Sequence, residues 1–270
     1  MNGAGIVNQN SLIRKINQYL LRLVSRKFSV AGYLRMQKTI YEAGAGLDKV
    51  GSGEISGDHV VGSWKQHDDW VDYEDYLMRY IPESSELVAL EYGCGPGRNI
   101  RRWSNRFKRI DGVDISKKNL DNAHVFLKNQ ISLEKKPNLY LTQGANCGAA
   151  PLNSYDFAFS TICLQHICVH KIRYSILQSL YDCLKQSGRL SIQMGYGDAI
   201  HTNVSYYENN YSAMATNGAC DVKIKDPTEV AKDLKDIGFV DLEFWIRPVG
   251  PGDKHPNWIF FTAVKPIDIK

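Results

Sequence analysis

A glycine-rich turn directly after a short apolar run limits the folds open to this chain. Residues 88–103 read VALEYGCGPGRNIRRW, so Gly93, Gly95 and Gly97 alternate with other residues just after the acidic Glu91. Glycine allows positive φ angles and a close approach of another group to the backbone. A strand that runs through such a turn into a helix is typical of nucleotide-binding α/β folds, in which the turn lies beneath the ligand.

The spacing of the glycines distinguishes between kinds of nucleotide site. A dinucleotide fingerprint, G-x-G-x-x-G, would need a glycine where this chain has Arg98, and a Walker loop would need Gly-Lys-Ser/Thr after the turn. The stretch E-x-G-C-G-x-G instead resembles motif I of class I S-adenosylmethionine-dependent methyltransferases. In that family the turn passes beneath the methionine end and the ribose of the cofactor. The resemblance therefore implies an enzyme with cofactor contacts from Glu91, Gly93, Cys94, Gly95 and Gly97.

The next segment supplies a second acidic residue at a suitable distance. Residues 109–116 read RIDGVDIS, a short apolar strand, and Asp114 lies 23 positions after Glu91. Nucleotide-binding folds place a carboxylate on the ribose hydroxyls at about this spacing. An ionised carboxylate only accepts hydrogen bonds, which suits two hydroxyl donors. We expect Asp114 and the following Ile115 to contact the cofactor.

Two further strands carry the remaining predicted cofactor contacts. Residues 138–144 are predicted to form the third strand, and relatives commonly have an acid after its glycine to hold the adenine amino group. This chain has Ala145 there, so the side-chain carbonyl of Asn146 is the predicted acceptor. Residues 155–161 are predicted as the fourth strand, which ends beside the cofactor at Thr161.

The whole chain alternates between strand-like and helix-like segments, which favours a doubly wound α/β sheet. Helices are predicted over residues 170–186 and 226–238, and strands over residues 240–246 and 258–264. Residues 184–195 resemble the helix-to-strand turn of this family. The resemblance implies a Rossmann-like sheet of seven strands with the last antiparallel. With 270 residues, of which 43% are hydrophobic, the chain can bury one full core plus accessory segments. We predict a methyltransferase domain over residues 58–270, with an acceptor lid at 195–225.

Residues 1–57 are predicted to form a basic helical extension followed by a glycine-rich connection at 41–57. The formal charge is +4, yet no acidic residue precedes Glu42 and seven basic residues do, so the rest of the chain carries about −3. An apolar stripe with helical spacing runs through Leu12, Ile16, Leu20, Val24 and Phe28. Three interpretations stay open: a helix packed on the body, a helix on an anionic membrane surface, or a partner-binding helix. Because the glycine-rich connection separates this segment from the motifs, deletion of the residues before Gly44 is expected to leave cofactor binding intact.

Composition also bears on the compartment and on metals. The six cysteines include no C-x-x-C pair, and no apolar run is long enough for a membrane span or a secretion signal. We therefore expect free thiols in a cytoplasmic protein. The irregular spacing of Cys163, His166, Cys168 and His170 predicts no metal site. The oligomeric state is left open.

His166, a few residues beyond the fourth strand, is the predicted catalytic residue. A hydroxyl acceptor must lose a proton during methyl transfer, and an imidazole is suited to accept it near neutral pH. An amine with a free lone pair needs no such base. A histidine at this position can instead cap or pack against the next helix, and that alternative stays open.

Two aromatic segments, residues 63–77 and 195–218, flank the predicted site and suggest the acceptor. Their rings, amides and hydroxyls suit a sugar or glycan hydroxyl, with Trp64, Trp70, His201, Tyr206 and Tyr207 as predicted contacts. The leading prediction is thus O-methylation of a small polar acceptor, with S-adenosylhomocysteine as the coproduct. N-methylation of a small amine or amino sugar is the alternative. RNA is less favoured, because no Asn/Asp-Pro-Pro-Tyr/Phe stretch follows the fourth strand.

Overall fold

The structure is a computed structural model that describes residues 29–45, 73–84, 86–199, 202–213, 221–249 and 255–267. The helices of these ranges are α1 Val30–Ala45, α2 Tyr73–Tyr76, α3 Arg98–Trp103, α4 Lys117–Leu127, α5 His170–Cys183 and α6 Pro227–Ile237. The strands are β1 Val88–Tyr92, β2 Arg109–Asp114, β3 Leu139–Leu141, β4 Tyr155–Ser160, β5 Leu184–Tyr196, β6 Thr202–Ser205, β7 Asp221–Lys223, β8 Val240–Pro248 and β9 Asn257–Val264. Two short 3-10 turns span Leu133–Lys135 and Leu164–His166.

Seven strands form one twisted sheet in the order β3-β2-β1-β4-β5-β9-β8. The first five are parallel, whereas β9 runs antiparallel to both β5 and β8. This confirms the predicted Rossmann-like fold with its antiparallel last strand. The short strands β6 and β7 form a separate parallel pair within the predicted lid.

The sequence forms these elements for local reasons. In β1, four of the five residues are buried, as expected for a parallel strand with helices on both faces. Helix α6 begins with a capping box between Asp226 and Glu229, carries Pro227 in its first turn and ends at Gly238 with a φ of 113°. One face of the sheet packs against α3 and α4, and the other packs against α5 and α6.

The order of the strands reverses between β1 and β4. From β1 the chain crosses over to β2 on one side, and from β4 it crosses over to β5 on the other side. Parallel sheets leave a crevice at such a point, outside the carboxyl ends of the strands. The glycine turn that follows β1 and the segment that follows β4 both border this crevice. The fold therefore places the two leading groups of predicted site residues next to each other.

Helix α1 corrects part of the predicted extension. Its Tyr33 is 1% exposed, and the Tyr33 hydroxyl accepts a hydrogen bond from the Cys168 amide at 2.7 Å. The Glu42 carboxylate accepts hydrogen bonds from the amides of Lys117 and Lys118, at 2.6 and 3.2 Å. Residues 41–45, predicted as connection, complete this helix. Residues 29–45 of the predicted extension are thus packed against the α/β domain.

Several predictions fall on other parts of the chain. The apolar stripe with its basic face, the glycine-rich residues 46–57, Trp64, Trp70 and His201 lie outside the described residues. Over the ranges that the structure describes, no helix is both long and apolar enough to cross a membrane. The five cysteines in those ranges are free thiols. No group of three or more His, Cys, Asp and Glu side chains in those ranges is arranged to hold a metal ion.

Candidate functional site

A cleft of about 710 Å³ lies at the carboxyl ends of β1, β2 and β4. Six of the predicted cofactor residues line it: Glu91, Gly93, Gly95, Asp114, Ile115 and Thr161. The structure therefore gathers into one cavity residues that the sequence assigned to the same ligand from three separate segments. Cys94, Gly97 and Asn146, which were also predicted, are not among the lining residues.

The neighbours of each glycine in the turn explain why Gly93 lines the cleft and Gly97 does not. All three have positive φ, with 75° at Gly93, 52° at Gly95 and 86° at Gly97. A Cβ on Gly93 would lie 2.5 Å from the Cys163 Sγ at the cleft. A Cβ on Gly97 would instead lie 2.8 Å from Cδ1 of Leu127 in α4. Gly97 thus allows two elements to pack closely, and its predicted contact with the cofactor is not supported.

The side chains of Cys94 and Asn146 make contacts within the fold and do not line the cleft. The Cys94 side chain is 1% exposed, and its Sγ would be 2.6 Å from a Cβ on Gly112 of β2. The Asn146 side chain is exposed, and its Oδ1 accepts hydrogen bonds from the Gly148 amide and the Thr142 hydroxyl, at 2.9 and 3.0 Å. Asn146 therefore closes its own loop, an Asx-type turn that local sequence alone also permits.

Asp114 joins the glycine turn to the start of α4. Its Oδ2 accepts a hydrogen bond from the Gly95 amide at 2.9 Å, and its Oδ1 accepts one from the Ser116 amide at 2.7 Å. Burial raises the pKa of Asp114, and these two hydrogen bonds oppose the increase. A carboxylate oxygen accepts about two hydrogen bonds. Oδ1 also accepts one from the Asn119 side-chain amide, at 3.5 Å, whereas Oδ2 retains capacity toward the cleft. This geometry suits a hydroxyl of a ribose.

Glu91 carries a buried oxygen without a partner. Its Oε1 accepts a hydrogen bond from Asn99 at 2.6 Å, whereas Oε2 has no hydrogen-bonding partner among the described residues. Burial raises the pKa of Glu91 to about 8, against the opposing effects of the Asn99 hydrogen bond and the Arg98 charge. Buried polar atoms normally find partners. An unpaired carboxylate oxygen beside the cleft fits the ammonium group at the methionine end of the cofactor.

Helix α1 forms a wall of the cleft that sequence reasoning missed. Gln37 and Tyr41 both line the cavity, and burial raises the pKa of the Tyr41 hydroxyl. The Gln37 amide also donates hydrogen bonds to the Tyr33 hydroxyl at 3.0 Å and to the His166 carbonyl at 3.3 Å. The four-residue spacing of Tyr33, Gln37 and Tyr41 places them on one helix face. That spacing was the available signal, because it marks a polar-aromatic face.

The segment after β4 is held in an unusual conformation. Ile162, which lines the cleft, has a φ of 49°, although a β-branched residue disfavours this region. Its amide donates a hydrogen bond to Oε1 of the buried Gln193 in β5, at 2.8 Å. Strained backbone of this kind is concentrated at functional sites, where the surrounding structure holds it. Gln193 therefore supports the edge of the cleft from the neighbouring strand.

His166 lies in the 3-10 turn between two residues that line the cleft, Cys163 and Ile167. Its Nδ1 is 2.5 Å from Oδ1 of Asp221, which is 1% exposed, and the other oxygen of Asp221 is 2.9 Å from Nε2 of His255. His166 Nε2 has no hydrogen-bonding partner in the part of the chain that the structure describes. Asp221 and His255 were not predicted, since neither lies in a recognisable motif.

The two predicted substrate tyrosines lie elsewhere. Tyr206 is 1% exposed, and its hydroxyl donates a hydrogen bond to Asp233 at 2.8 Å. Tyr207 is 44% exposed, and its hydroxyl donates to the Glu229 carbonyl of α6 at 2.9 Å. Neither ring lines the cleft. Tyr206 is therefore a core residue, and its hydrogen bond to Asp233 anchors the lid to α6.

A buried arginine connects this lid to the turn that carries His166. The Arg173 guanidinium donates hydrogen bonds to the carbonyls of Ile167 and Tyr206, and it lies 4.8 Å from the centre of the Tyr206 ring. Burial lowers the pKa of Arg173. Because one side chain fixes both carbonyls, the lid and the His166 turn are positioned together.

Comparisons with known proteins agree with this geometry. Residues 90–192 match the family described as "Methyltransferase domain". Residues 90–192 therefore carry the sequence pattern of a methyltransferase domain. The predicted dependence on S-adenosylmethionine is thereby confirmed, and the residues around the cleft fit this cofactor. No curated protein matches the sequence.

Solved structures of methyltransferases share the fold. A Haemonchus contortus phosphoethanolamine N-methyltransferase 2, in complex with S-adenosylmethionine, has 20% identity and a TM-score of 0.54, over 76% of this chain and 53% of its own. This chain thus spans about half the length of that enzyme. Magnesium protoporphyrin IX methyltransferase of Synechocystis PCC 6803, with bound S-adenosylhomocysteine, has 17% identity and a TM-score of 0.52, over 75% of this chain and 82% of its own. A structure of a Haloferax volcanii methyltransferase in complex with the Trm112 activator has 13% identity and a TM-score of 0.54, over 82% of this chain and 99% of the matched chain.

Proposed function

We propose that this protein transfers the methyl group of S-adenosylmethionine to a hydroxyl of a small polar acceptor, with His166 as the general base. The observation that supports this is the contact between His166 Nδ1 and Asp221 Oδ1. An imidazole whose Nδ1–H donates to a carboxylate keeps a lone pair on Nε2, which is the arrangement that a general base needs. A sugar or glycan hydroxyl is the proposed acceptor class, as the aromatic segments predict.

The residues around the cleft would then have separate tasks. Asp114 would accept a hydrogen bond from a ribose hydroxyl, and Glu91 Oε2 would pair with the ammonium group. The bound cofactor supplies an electrophilic methyl group with a good leaving group, so alignment is the main contribution of the protein. His166 Nε2 takes the proton of the acceptor hydroxyl, and Asp221 stabilises the imidazolium that results.

A small amine is the second candidate acceptor. The Haemonchus structure, named for N-methylation of phosphoethanolamine, shares this fold and keeps the possibility open. An amine that arrives with a free lone pair needs no base. The two candidates therefore differ in how much they depend on His166.

The experiment that tests the proposal combines a substrate panel with histidine variants. Wild-type protein is incubated with methyl-labelled S-adenosylmethionine and a panel of free sugars, short glycans, ethanolamine and phosphoethanolamine. We expect label in a hydroxyl acceptor, and a rate about 10²–10⁴-fold lower in His166→Gln, with unchanged S-adenosylhomocysteine affinity by calorimetry. His170→Gln is the matched control, because His170 forms a similar pair with Asp233 at 2.8 Å. Label that reaches only an amine, at the same rate in His166→Gln and wild type, would contradict the proposal.

A further inference from the structure

Asp221 lies between two histidines that are far apart along the chain. It begins β7 in the lid, and it is 55 positions from His166 and 34 positions from His255. The two imidazoles use different oxygens of the carboxylate, Oδ1 for His166 and Oδ2 for His255. Only His166 neighbours the cleft-lining residues. The proposed function needs one histidine and one carboxylate, so the second histidine calls for a role.

His255 occupies a closely fitted slot. Its side chain is 1% exposed, and the centre of its ring is 4.8 Å from the centre of the Trp258 ring. On another side it lies against Gly195 of β5, where a Cβ would be only 2.2 Å from the imidazole Nδ1. Any other residue at position 195 would therefore displace the ring. This packing aims Nε2 of His255 at Oδ2 of Asp221, at 2.9 Å.

The charge state of Asp221 determines where the protons lie. Burial raises the pKa of Asp221, but the electrostatic attraction and the hydrogen bonds of His166 and His255 outweigh that effect and hold the pKa below its usual range. The carboxyl is therefore ionised, and an ionised carboxylate can only accept hydrogen bonds. Each imidazole must then donate. His166 carries its proton on Nδ1, and His255 carries its proton on Nε2.

We propose that His255 is a positioning residue that keeps His166 in the tautomer with a free Nε2. By donating to Oδ2, His255 fixes the rotation of the Asp221 carboxylate, so that Oδ1 stays in line with Nδ1 of His166. Removal of this second donor takes away a hydrogen bond that holds the buried carboxylate in place, which favours rotation of the carboxylate or entry of water. The use of Nε2 as a base rests on the proposed function, whereas the hydrogen-bond arrangement does not.

A second histidine–aspartate pair, His170 with Asp233, provides an internal control for this arrangement. His170 also pairs with a buried aspartate, Asp233, but there the imidazole and the Tyr206 hydroxyl bond to the same oxygen, Oδ2. This second pair shares no residue with the first. A substitution that acts through Asp221 should change the state of His166 and leave that of His170 as it was.

The test reads the tautomers directly and needs no acceptor. Full-length protein labelled with 15N in its histidines is studied by NMR, which distinguishes an Nδ1–H from an Nε2–H imidazole, and His166→Gln and His170→Gln assign the signals. His255→Phe keeps a ring beside Trp258 and removes the donor. His255→Gln retains a donor near the position of Nε2. Gly195→Ala displaces His255 without changing it.

We expect His166 to be an Nδ1–H imidazole in the wild type and in His255→Gln. In His255→Phe and Gly195→Ala, we expect it to become a mixture of tautomers, with no change at His170. A His166 signal that stays wholly Nδ1–H in His255→Phe would overturn the proposal, and if that variant does not fold, the same result in Gly195→Ala would overturn it. Calorimetry with S-adenosylhomocysteine reports whether the cleft is intact.

An activity measurement separates this inference from the proposed function. With the hydroxyl acceptor found in the panel, His255→Phe should lower kcat by about 10–100-fold, as outer hydrogen-bonding partners of a functional histidine commonly do. The same substitution in a His166→Gln background should cause no further loss, and His255→Gln should restore most of the rate. A loss of equal size in both backgrounds would mean that His255 acts on stability alone. If no hydroxyl is methylated but the tautomers shift as expected, the proposed function fails while the positioning role stands.

Discussion

The cofactor cleft and the cluster of His166, Asp221 and His255 are built in different ways. The predicted residues of the cleft come mainly from two consecutive strand ends, and four of the residues that line it have positive φ, namely Gly93, Gly95, Gly144 and Ile162. The cluster instead consists of three side chains that come from three distant segments. The predicted cofactor residues thus belong to local motifs, whereas the proposed base depends on where the lid and the residues before β9 lie relative to the sheet. Substitutions should therefore separate binding from catalysis.

The largest expected effect is a loss of cofactor binding by a substitution in the cleft. Gly95 lines the cleft with a φ of 52°, so Gly95→Val introduces a branched side chain into the cofactor space and strains the turn. We expect no measurable binding of S-adenosylhomocysteine by calorimetry. Gly97→Ala is the matched control, because its clash is with Leu127 and not with the cleft. It should lower the melting temperature and retain more affinity than Gly95→Val. Equal affinity in Gly95→Val and the wild type would remove the cleft as the cofactor site.

A second prediction concerns α1, which touches both regions through Tyr41 and Gln37. Removal of residues 1–45 takes away a wall of the cleft and the buried Tyr33, so we expect cofactor affinity to fall at least about 10-fold, or the fold to be lost. Truncation of residues 1–28 leaves α1 whole and is the matched control. Calorimetry and circular dichroism measure the two effects. Full affinity after removal of residues 1–45 would restore the original prediction of a separable extension.

A smaller effect is expected at Asp114, which is confined to the cleft. Asp114→Ala should weaken cofactor binding by about 1–3 kcal/mol, because a ribose hydroxyl and the Gly95 amide lose their acceptor. Asp111→Asn on the same strand is the matched control, since Asp111 is bonded to Arg109 and Asn138 at the other end of β2. It should affect stability more than affinity. An Asp114→Ala variant that binds as tightly as the wild type would show that the ribose lies elsewhere.

The smallest expected effect is a pH dependence of the stability of the protein, which arises from Glu91. The pKa of Glu91 is raised to about 8 by burial, so between its unfolded value, about 4.3, and 8 the native protein holds a proton that the unfolded chain has released. Its contribution to stability is complete below the unfolded value and is lost as pH rises through 8, by at most about 1.4 kcal/mol per pH unit. Melting temperatures of the cofactor-free protein should fall more steeply over this range than those of Glu91→Gln. Parallel curves for the two proteins would mean that Glu91 is already ionised.

Cofactor binding should reverse that preference. The sulfonium and ammonium groups carry positive charge, which favours the ionised form of Glu91, so binding below pH 8 should release a proton. Calorimetry in buffers with different ionisation enthalpies measures this release. Glu91→Gln should release less, and its comparison with the wild type removes the contribution of the cofactor's own amino group. Equal release by the two proteins would place the ammonium group away from Glu91.

The sequence determined the features that depend on short-range patterns. The alternation of apolar strands and amphipathic helices predicted the doubly wound sheet, because each element must bury its own face. The glycine turn and the segment of Asp114 predicted five of the residues around the cleft, because close approach and positive φ restrict which residue can occupy a site. The predicted end of the fourth strand supplied the sixth, Thr161. The capping signals at Asp226 and Gly238 located α6 for the same local reason.

Only the tertiary structure decided which distant side chains meet. Tyr33, Gln37 and Tyr41 resembled part of an extension until α1 was found against the cleft. Tyr206 resembled an acceptor contact because exposure cannot be read from an aromatic residue in a loop. The pairing of Asp221 with two histidines has no sequence signature, since it depends on the path of the lid and on the absent side chain at Gly195. Hydrogen bonds between side chains are set by distances in space, and packing over the whole domain fixes those distances.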